Sequence, residues 1–285
     1  MKAQLIDGKG ISAQIKAEAA EEAAELKAKG IEPCLAVVLV GDDSASQVYV
    51  NNKKKACAAV GIKSVSHVLS GETTEEELLQ LVGELNADQS IHGILVQMPV
   101  PKQIDDRKVI LAIDPKKDVD CFHPVNVGYL HTGGKGFLPC TPAGIIELIK
   151  RSGHTIEGKN CVVIGRSNIV GKPVAMLLMQ ENGTVTICHS KTKDLAGICR
   201  GADIIVSATG KVNTVTADMV KEGAVIIDVG MNRNEAGKLC GDVDFENVKE
   251  VAGTITPVPG GVGPMTIAML MKNCITAAKI QNGLM

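Results

Sequence analysis

Two hydrophobic rhythms alternate along the chain. From Ile11 to Lys29, apolar or small residues recur at helical spacing among Lys and Glu, and Gly30 supplies a stop. Cys34–Val40 is an unbroken apolar run closed by Gly41, which predicts a parallel strand buried on both faces. Ser46–Val60 reads as a helix closed by Gly61, and Lys63–Leu69 alternates as a strand. Thr73-Thr74-Glu75-Glu76-Glu77 is a capped, acidic helix start, with the helix running to about Asn86. Ile91–Met98 is a further strand, ended by Pro99 and Pro101. Strands and helices alternating in this way build a parallel sheet.

Residues Lys116–Pro142 break the rhythm. They are rich in Gly, Pro and polar residues and show no clear period, as expected of a functional or linking stretch. Ala143–Ser152 follows as a helix. A second α/β run then begins with the strand Asn160–Ile164, which leads into Gly165 and a helix opening near Gly171-Lys172-Pro173. Thr184–Cys188, Ala202–Ala208 and Ala224–Val229 are further strands, with helical pieces at Asp194–Arg200 and Thr216–Lys221. Met265–Ile280 is a last long helix. A chain of 285 residues is long for one ordinary domain and comfortable for two.

Composition narrows the classes. The net charge of −2 gives no global drive toward nucleic acid or an anionic membrane, so neither is an expected partner. Nine cysteines without CxxC spacing argue against a disulfide framework and against zinc; reduced thiols in a cytoplasm are the simplest reading. The N-terminus lacks the apolar core of a signal peptide, and no apolar run is long enough to cross a bilayer. With no Trp, two Tyr and three Phe, the core must be aliphatic, and Tyr49 is one of few surfaces on which a flat ligand can stack.

Six segments carry candidate chemistry. Val162–Pro173 joins a strand to a helix, where a doubly wound sheet holds a dinucleotide pyrophosphate; it lacks GxGxxG spacing, and an ordinary strand–helix turn is the alternative. The next strand ends in His189-Ser190-Lys191-Thr192 rather than in the carboxylate that holds an NAD ribose. A hydroxyl and basic side chains, with Arg166, suit the 2′-phosphate of NADP. Tyr49 and Lys53 stand four apart on one helix face, preceding the dinucleotide loop, which is the wrong order for a short-chain dehydrogenase. Gln97, at a strand's carboxyl end, is placed to orient Lys53 or to satisfy neighbouring backbone. Asp118-Val119-Asp120 with His123 superficially resembles a metal cluster but lacks further ligands, so no metal is expected. Ile255–Thr266 is a Gly/Pro loop suited to close ligand approach or to a tight connection.

These segments together resemble one family. Ser46–Ala56, Gly93–Pro99, Lys117–Asp120, Pro139–Pro142, Gly165-Arg166-Ser167 and Pro257–Thr266 are similar, in order and spacing, to methylenetetrahydrofolate dehydrogenase/cyclohydrolase. The resemblance implies an α/β protein of two domains with a cleft between them. One is an N-terminal three-layer α/β catalytic domain, 1–140, joined by the C-terminal helix 266–285; the other is a Rossmann-type NADP domain, 141–265. It implies oxidation of 5,10-methylenetetrahydrofolate with NADP, then hydrolysis to 10-formyltetrahydrofolate. Lys53 would be the general acid/base, Gln97 would set its position and protonation, Tyr49 would pack on the folate, and Asp120 would hold the pterin edge. Val50, Asn51, Asn52, Val96, Met98 and Pro259, Gly260, Gly261, Val262 and Gly263 would complete the folate pocket. Gly165, Arg166, Ser167, Ser190 and Met231 would meet NADP. The family also implies a homodimer. Two positions depart from its pattern: Cys121 stands where Gly is usual, and Met231 where Ile is frequent. A shikimate-type dehydrogenase or a folate-binding protein without activity are the competing readings.

Overall fold

The computed structural model describes residues 2–134 and 136–285, which form two compact units. In chain order the elements are β1 (Gln4–Leu5), α1 (Gly8–Ala28), β2 (Cys34–Val40), α2 (Ser44–Val60), β3 (Lys63–Leu69), α3 (Glu75–Ala87), β4 (Gly93–Val96), α4 (Asp106–Ala112), α5 (Pro124–Thr132), α6 (Cys140–Arg151) and β5 (Asn160–Ile164). They continue with α7 (Gly171–Gln180), β6 (Thr184–Cys188), α8 (Leu195–Arg200), β7 (Ile204–Ser207), β8 (Val225–Asp228), β9 (Asn232–Arg233), β10 (Leu239–Cys240), α9 (Phe245–Val248), β11 (Thr254–Ile255) and α10 (Val262–Gln281).

One unit comprises Gln14–Cys140 and Ile267–Met285. Its parallel sheet has the order β3-β2-β4. Every residue of β2 is buried, so alternate side chains must find apolar partners on both faces. Leu35, Val37 and Leu39 pack with Ala19, Ala23 and Leu26 of α1, Val50 and Cys57 of α2, and Leu270 and Ile275 of α10. Cys34, Ala36 and Val38 pack with Leu78, Val82 and Leu85 of α3 and Val109 of α4. The result is three layers, with an aliphatic core as the scarcity of aromatics requires. The helices carry their own signals. The Asp43 carboxylate accepts from the Ser46 N–H at the start of α2, and Gly61 ends it at φ 82°. Thr74 and Glu77 form a reciprocal capping box on α3, a motif worth about 1 kcal/mol.

The other unit comprises Met1–Ala13 and Thr141–Thr266. Its six parallel strands have the order β1-β11-β8-β7-β5-β6. β5 pairs β6 on one side and β7 on the other, so the strand order reverses there and leaves a crevice at the carboxyl ends. Expected and observed strands agree closely wherever an apolar run is unbroken. The differences lie in short or aperiodic pieces. β1 and β11 are two residues each, too short for any period, yet Gln4 pairs with Thr254 and Leu5 with Ile255. That pairing draws the first thirteen residues into this unit, whereas 1–140 had been expected to stay together. Helix α5 lies in the stretch read as irregular, and α4 where no element is expected: α4 has seven residues, and α5 carries Gly128 and only two buried side chains, Asn126 and Leu130. Thr216–Lys221 yields a three-residue 3-10 turn, Ala217–Met219.

The stretch 117–123 is ordered by its own polar groups. Lys117 is buried, and its Nζ donates to the carbonyls of Leu85, Asn86 and Asp88 at 3.0, 2.8 and 2.7 Å, satisfying the C-terminal end of α3. Burial holds its pKa below the usual lysine value. The Asp118 carboxylate accepts from the N–H groups of Phe122 and His123 and from Asn126 Nδ2. Asn273 of α10 donates to the carbonyls of Val119 and Leu138. Cys121 is left-handed at φ 60°, the conformation for which glycine is the usual solution. Its buried Sγ donates to the Phe137 carbonyl at 3.2 Å. Relief of the backbone in Cys121→Gly, about 1 kcal/mol, offsets most of the lost thiol contact. The variant is expected to lose no more than about 1 kcal/mol in urea unfolding. A loss above about 3 kcal/mol would show that the thiol, not the backbone, fixes this turn.

Candidate active site

The first unit places its polar groups where β4 runs out of apolar residues. Gly93–Val96 are all buried, and Gln97 is the first polar residue beyond them. Its N–H donates to the Val38 carbonyl at 2.8 Å, which continues the ladder and fixes the side chain's origin. Gln97 Oε1 accepts from Lys53 Nζ at 2.8 Å, and Gln97 Nε2 donates to the Met98 carbonyl at 2.7 Å. With both ends of the amide engaged, its orientation is determined. Lys53 lies on α2, half-buried, and Tyr49 lies one turn earlier on the same face and is 40% exposed. Asn51 and Asn52 are exposed beside them. Val50 and Val96 are different: their side chains belong to the two core layers, so what they offer a ligand is backbone. Met98 is half-buried, and the peptide between it and Pro99 is cis.

Asp120 joins this group electrostatically. Burial pushes its carboxyl up to about 6; the Lys53 cation opposes that rise, and the Asp118 carboxylate adds to it. Cys140 Sγ lies 3.9 Å from Asp120 Oδ1, and Asn273 Nδ2 reaches the same sulfur at 3.5 Å. Asp118 and His123 do not form a metal site. Asp118 accepts backbone and amide N–H groups, and His123 Nδ1 accepts from the Val125 N–H at the start of α5. Among the described residues no group of three or more His, Cys, Asp and Glu side chains suits a metal ion. The roles of Lys117, Cys140 and Asn273 escaped sequence reasoning, because their partners are carbonyls and a thiol brought in from distant segments.

The second unit carries the remaining candidates. In the loop leading into α10 and the first two residues of that helix, Pro259 and Gly263 are exposed, Gly260 is half-buried, and Gly261 and Val262 are buried. Ser12 Oγ donates to the Pro264 carbonyl and ties the loop to α1. At the crevice, Gly165 has φ 127°, and a Cβ there would lie 2.3 Å from the Ala208 carbonyl oxygen; no other residue fits. Its N–H donates to the Cys188 carbonyl at 2.9 Å, so this loop leaves the sheet beside the turn His189–Thr192. Ser167 Oγ accepts from the N–H groups of Val170 and Gly171 just before and at the start of α7, while Arg166, Ser190 and Lys191 are exposed. Among the described residues, the N–H groups of residues 166–169 donate to no backbone carbonyl. A backbone cradle at a helix start, with a guanidinium and a hydroxyl beside it and no strand-end carboxylate, fits a dinucleotide carrying a 2′-phosphate. Met231, 59% exposed, lies just beyond β8 on the same edge.

Comparison with known proteins identifies the family. Residues 6–120 match the family described as "Tetrahydrofolate dehydrogenase/cyclohydrolase, catalytic domain", and residues 139–282 match its NAD(P)-binding domain. The bifunctional protein FolD of Agathobacter rectalis is 64% identical over 277 residues, covering 97% of this chain and 99% of its own. The crystal structure of the bifunctional FolD of Campylobacter jejuni is 54% identical with a TM-score of 0.95, covering 98% of this chain and 99% of its own. The Trypanosoma brucei enzyme, crystallised with NADP cofactor and an inhibitor, is 42% identical with a TM-score of 0.92, over 98% of each chain. Both halves of the molecule are thus accounted for, and the chain belongs to the tetrahydrofolate dehydrogenase/cyclohydrolase family.

Proposed function

We propose that Lys53, Gln97, Tyr49 and Asp120 carry the folate chemistry of this bifunctional enzyme, with NADP held by the loops around Gly165. The enzyme oxidises 5,10-methylenetetrahydrofolate to the methenyl cation and hydrolyses that cation to 10-formyltetrahydrofolate. The observation that carries the residue assignment is the 2.8 Å bond from Lys53 Nζ to Gln97 Oε1. It holds the single cation of that face of α2 on an amide whose orientation Met98 fixes. The dehydrogenase step needs little acid–base help, because the folate nitrogen stabilises the product cation. NADP supplies the hydride acceptor for it, and Gly165, Arg166, Ser167 and Ser190 bind the dinucleotide, with the backbone near Met231 toward its nicotinamide. The hydrolytic step moves protons: water adding to the methenyl carbon loses one to the medium, and the carbinol hydroxyl so formed loses the other as the formyl carbonyl forms and the ring nitrogen gains a proton on ring opening. Lys53 is positioned to relay that proton. Tyr49 supplies a flat face for the pterin, and Asp120 accepts its N–H edge. The backbone of Val50 and Val96 and the side chains of Asn51, Asn52 and Met98 complete the folate contacts of the first unit, and the family resemblance assigns Pro259, Gly260, Gly261, Val262 and Gly263 to folate as well. Nine free cysteines suit a reducing cytoplasm, and the family resemblance carries a homodimer.

Lys53→Met is expected to lower methenyl hydrolysis by at least about 100-fold while NADPH formation continues. Hydrolysis at the normal rate in that variant would remove Lys53 from the chemistry. The raised Asp120 pKa gives a second expectation. Its carboxyl is ionised above about 6 and neutral below. If the ionised form grips the pterin, kcat/KM for methylenetetrahydrofolate falls as pH drops through that value, and Asp120→Asn loses the inflection. A wild-type profile flat across that range would contradict the role of Asp120.

A further inference from the structure

Two buried carboxylates sit under the dinucleotide crevice, and neither has a place in the chemistry above. Asp242 has no exposed surface and Asp228 is 3% exposed. Burying an acid in an aliphatic sheet is costly unless its oxygens are filled with donors. Here they are. Asp242 Oδ2 accepts from the N–H groups of Thr209 at 2.7 Å and Gly210 at 3.3 Å, and from the hydroxyls of Ser207 and Thr209. Asp242 Oδ1 accepts from the Lys211 N–H at 3.0 Å and from Asn232 Nδ2 at 2.9 Å. Asp228 accepts from the N–H groups of Gly230, Asp242 and Val243, and its own N–H donates to Thr256 Oγ1. Backbone packs directly on both acids: a Cβ at Gly230 would lie 2.2 Å from Asp242 Oδ1, and one at Gly241 1.8 Å from Asp228 Oδ2.

The loop these bonds hold, 208–211, is the second wall of the crevice. Ala208 donates to the Ile164 carbonyl at 2.8 Å, and the Ala208 carbonyl is what any side chain at position 165 would strike. The stretch Asp228–Met231 leaves the neighbouring strand on the same edge. One carboxylate therefore fixes the loop after β7, which flanks the Gly165 cradle, and holds the Asn232 side chain beyond β8. Six donors converge on it, and no neighbouring side chain can replace an acceptor-only group there.

We propose that Asp242 is a positioning residue for NADP, holding the loop Ala208–Lys211 and, through the Asn232 side chain, the segment beyond β8 at the spacing the dinucleotide requires. It rests on the reading that NADP occupies this crevice. In Asp242→Asn one oxygen becomes an NH2 that faces other donors, so the loop loses bonds on one side while side-chain volume is kept. The expected result is an NADP Kd at least about ten-fold weaker, by fluorescence titration of NADPH onto protein shown folded by circular dichroism. Steady-state kinetics adds a readout that loss of folded protein does not move: KM for NADP rises. A lower kcat with unchanged KM and Kd overturns the proposal. Thr209→Val removes one hydroxyl donor from the acid, with that hydroxyl's contacts to the Lys211 N–H and to Thr214, and keeps the backbone N–H bonds to Asp242; it decides the matter if Asp242→Asn does not fold. It should weaken NADPH by about three-fold; unchanged binding overturns the proposal. Wild-type protein in the same titration tests the underlying reading separately, since failure of NADPH to bind it would sink the cofactor site itself.

Discussion

The structure depends on parallel strands that are buried on both faces. β2, β4, β7 and β8 have no exposed residue, and β5 has one, at its start. Such strands have no room for chemistry along their length, so polar function begins at their carboxyl ends. Gln97 follows β4, Gly165 follows β5, Thr209 lies just past β7, and Asp228 closes β8. The order of the ladder sets which of these ends are neighbours.

Each end then needs fixing, because loops at strand termini are mobile unless their backbone groups are occupied. The molecule uses buried polar side chains for this. Lys117 fills three carbonyls at the end of α3, Asp118 and Asn273 fix the stretch carrying Asp120, and Asp228 with Asp242 fix the loops beside the dinucleotide crevice. Gln97 does the same for a single cation. The groups assigned to chemistry are few, and the groups that hold them are more numerous and better buried. Burial pushes the Asp228 carboxyl up to about 6, against the pull of the backbone N–H groups that bond it.

Much of the fold could be read from the chain because a doubly buried strand is an unbroken apolar run. β2 and β5 are legible at their observed bounds on that ground, the more exposed β3 by its alternation instead, and the capping box of α3 is visible as Thr74 and Glu77. The Lys53–Gln97 pair was legible because a helix face and a strand end are both local patterns. Cys121 was recognisable as a departure, and its left-handed backbone supplies the physical meaning of the missing glycine. What remained hidden was long-range. Two-residue strands such as β1 acquire meaning only through a partner at the other end of the chain. Asp242 looks like an ordinary loop acid until the sheet brings Thr209 and Gly210 above it.

The central claim is that one folate-bound carbon is oxidised and then hydrolysed by this chain. Absorbance of NADPH and of methenyltetrahydrofolate, followed together after methylenetetrahydrofolate and NADP are added to the wild-type protein, tests it most directly. The account predicts that NADPH rises while the methenyl signal stays well below it, because hydrolysis drains the cation to 10-formyltetrahydrofolate. Absence of NADPH, or methenyltetrahydrofolate accumulating mole for mole with NADPH, would contradict it.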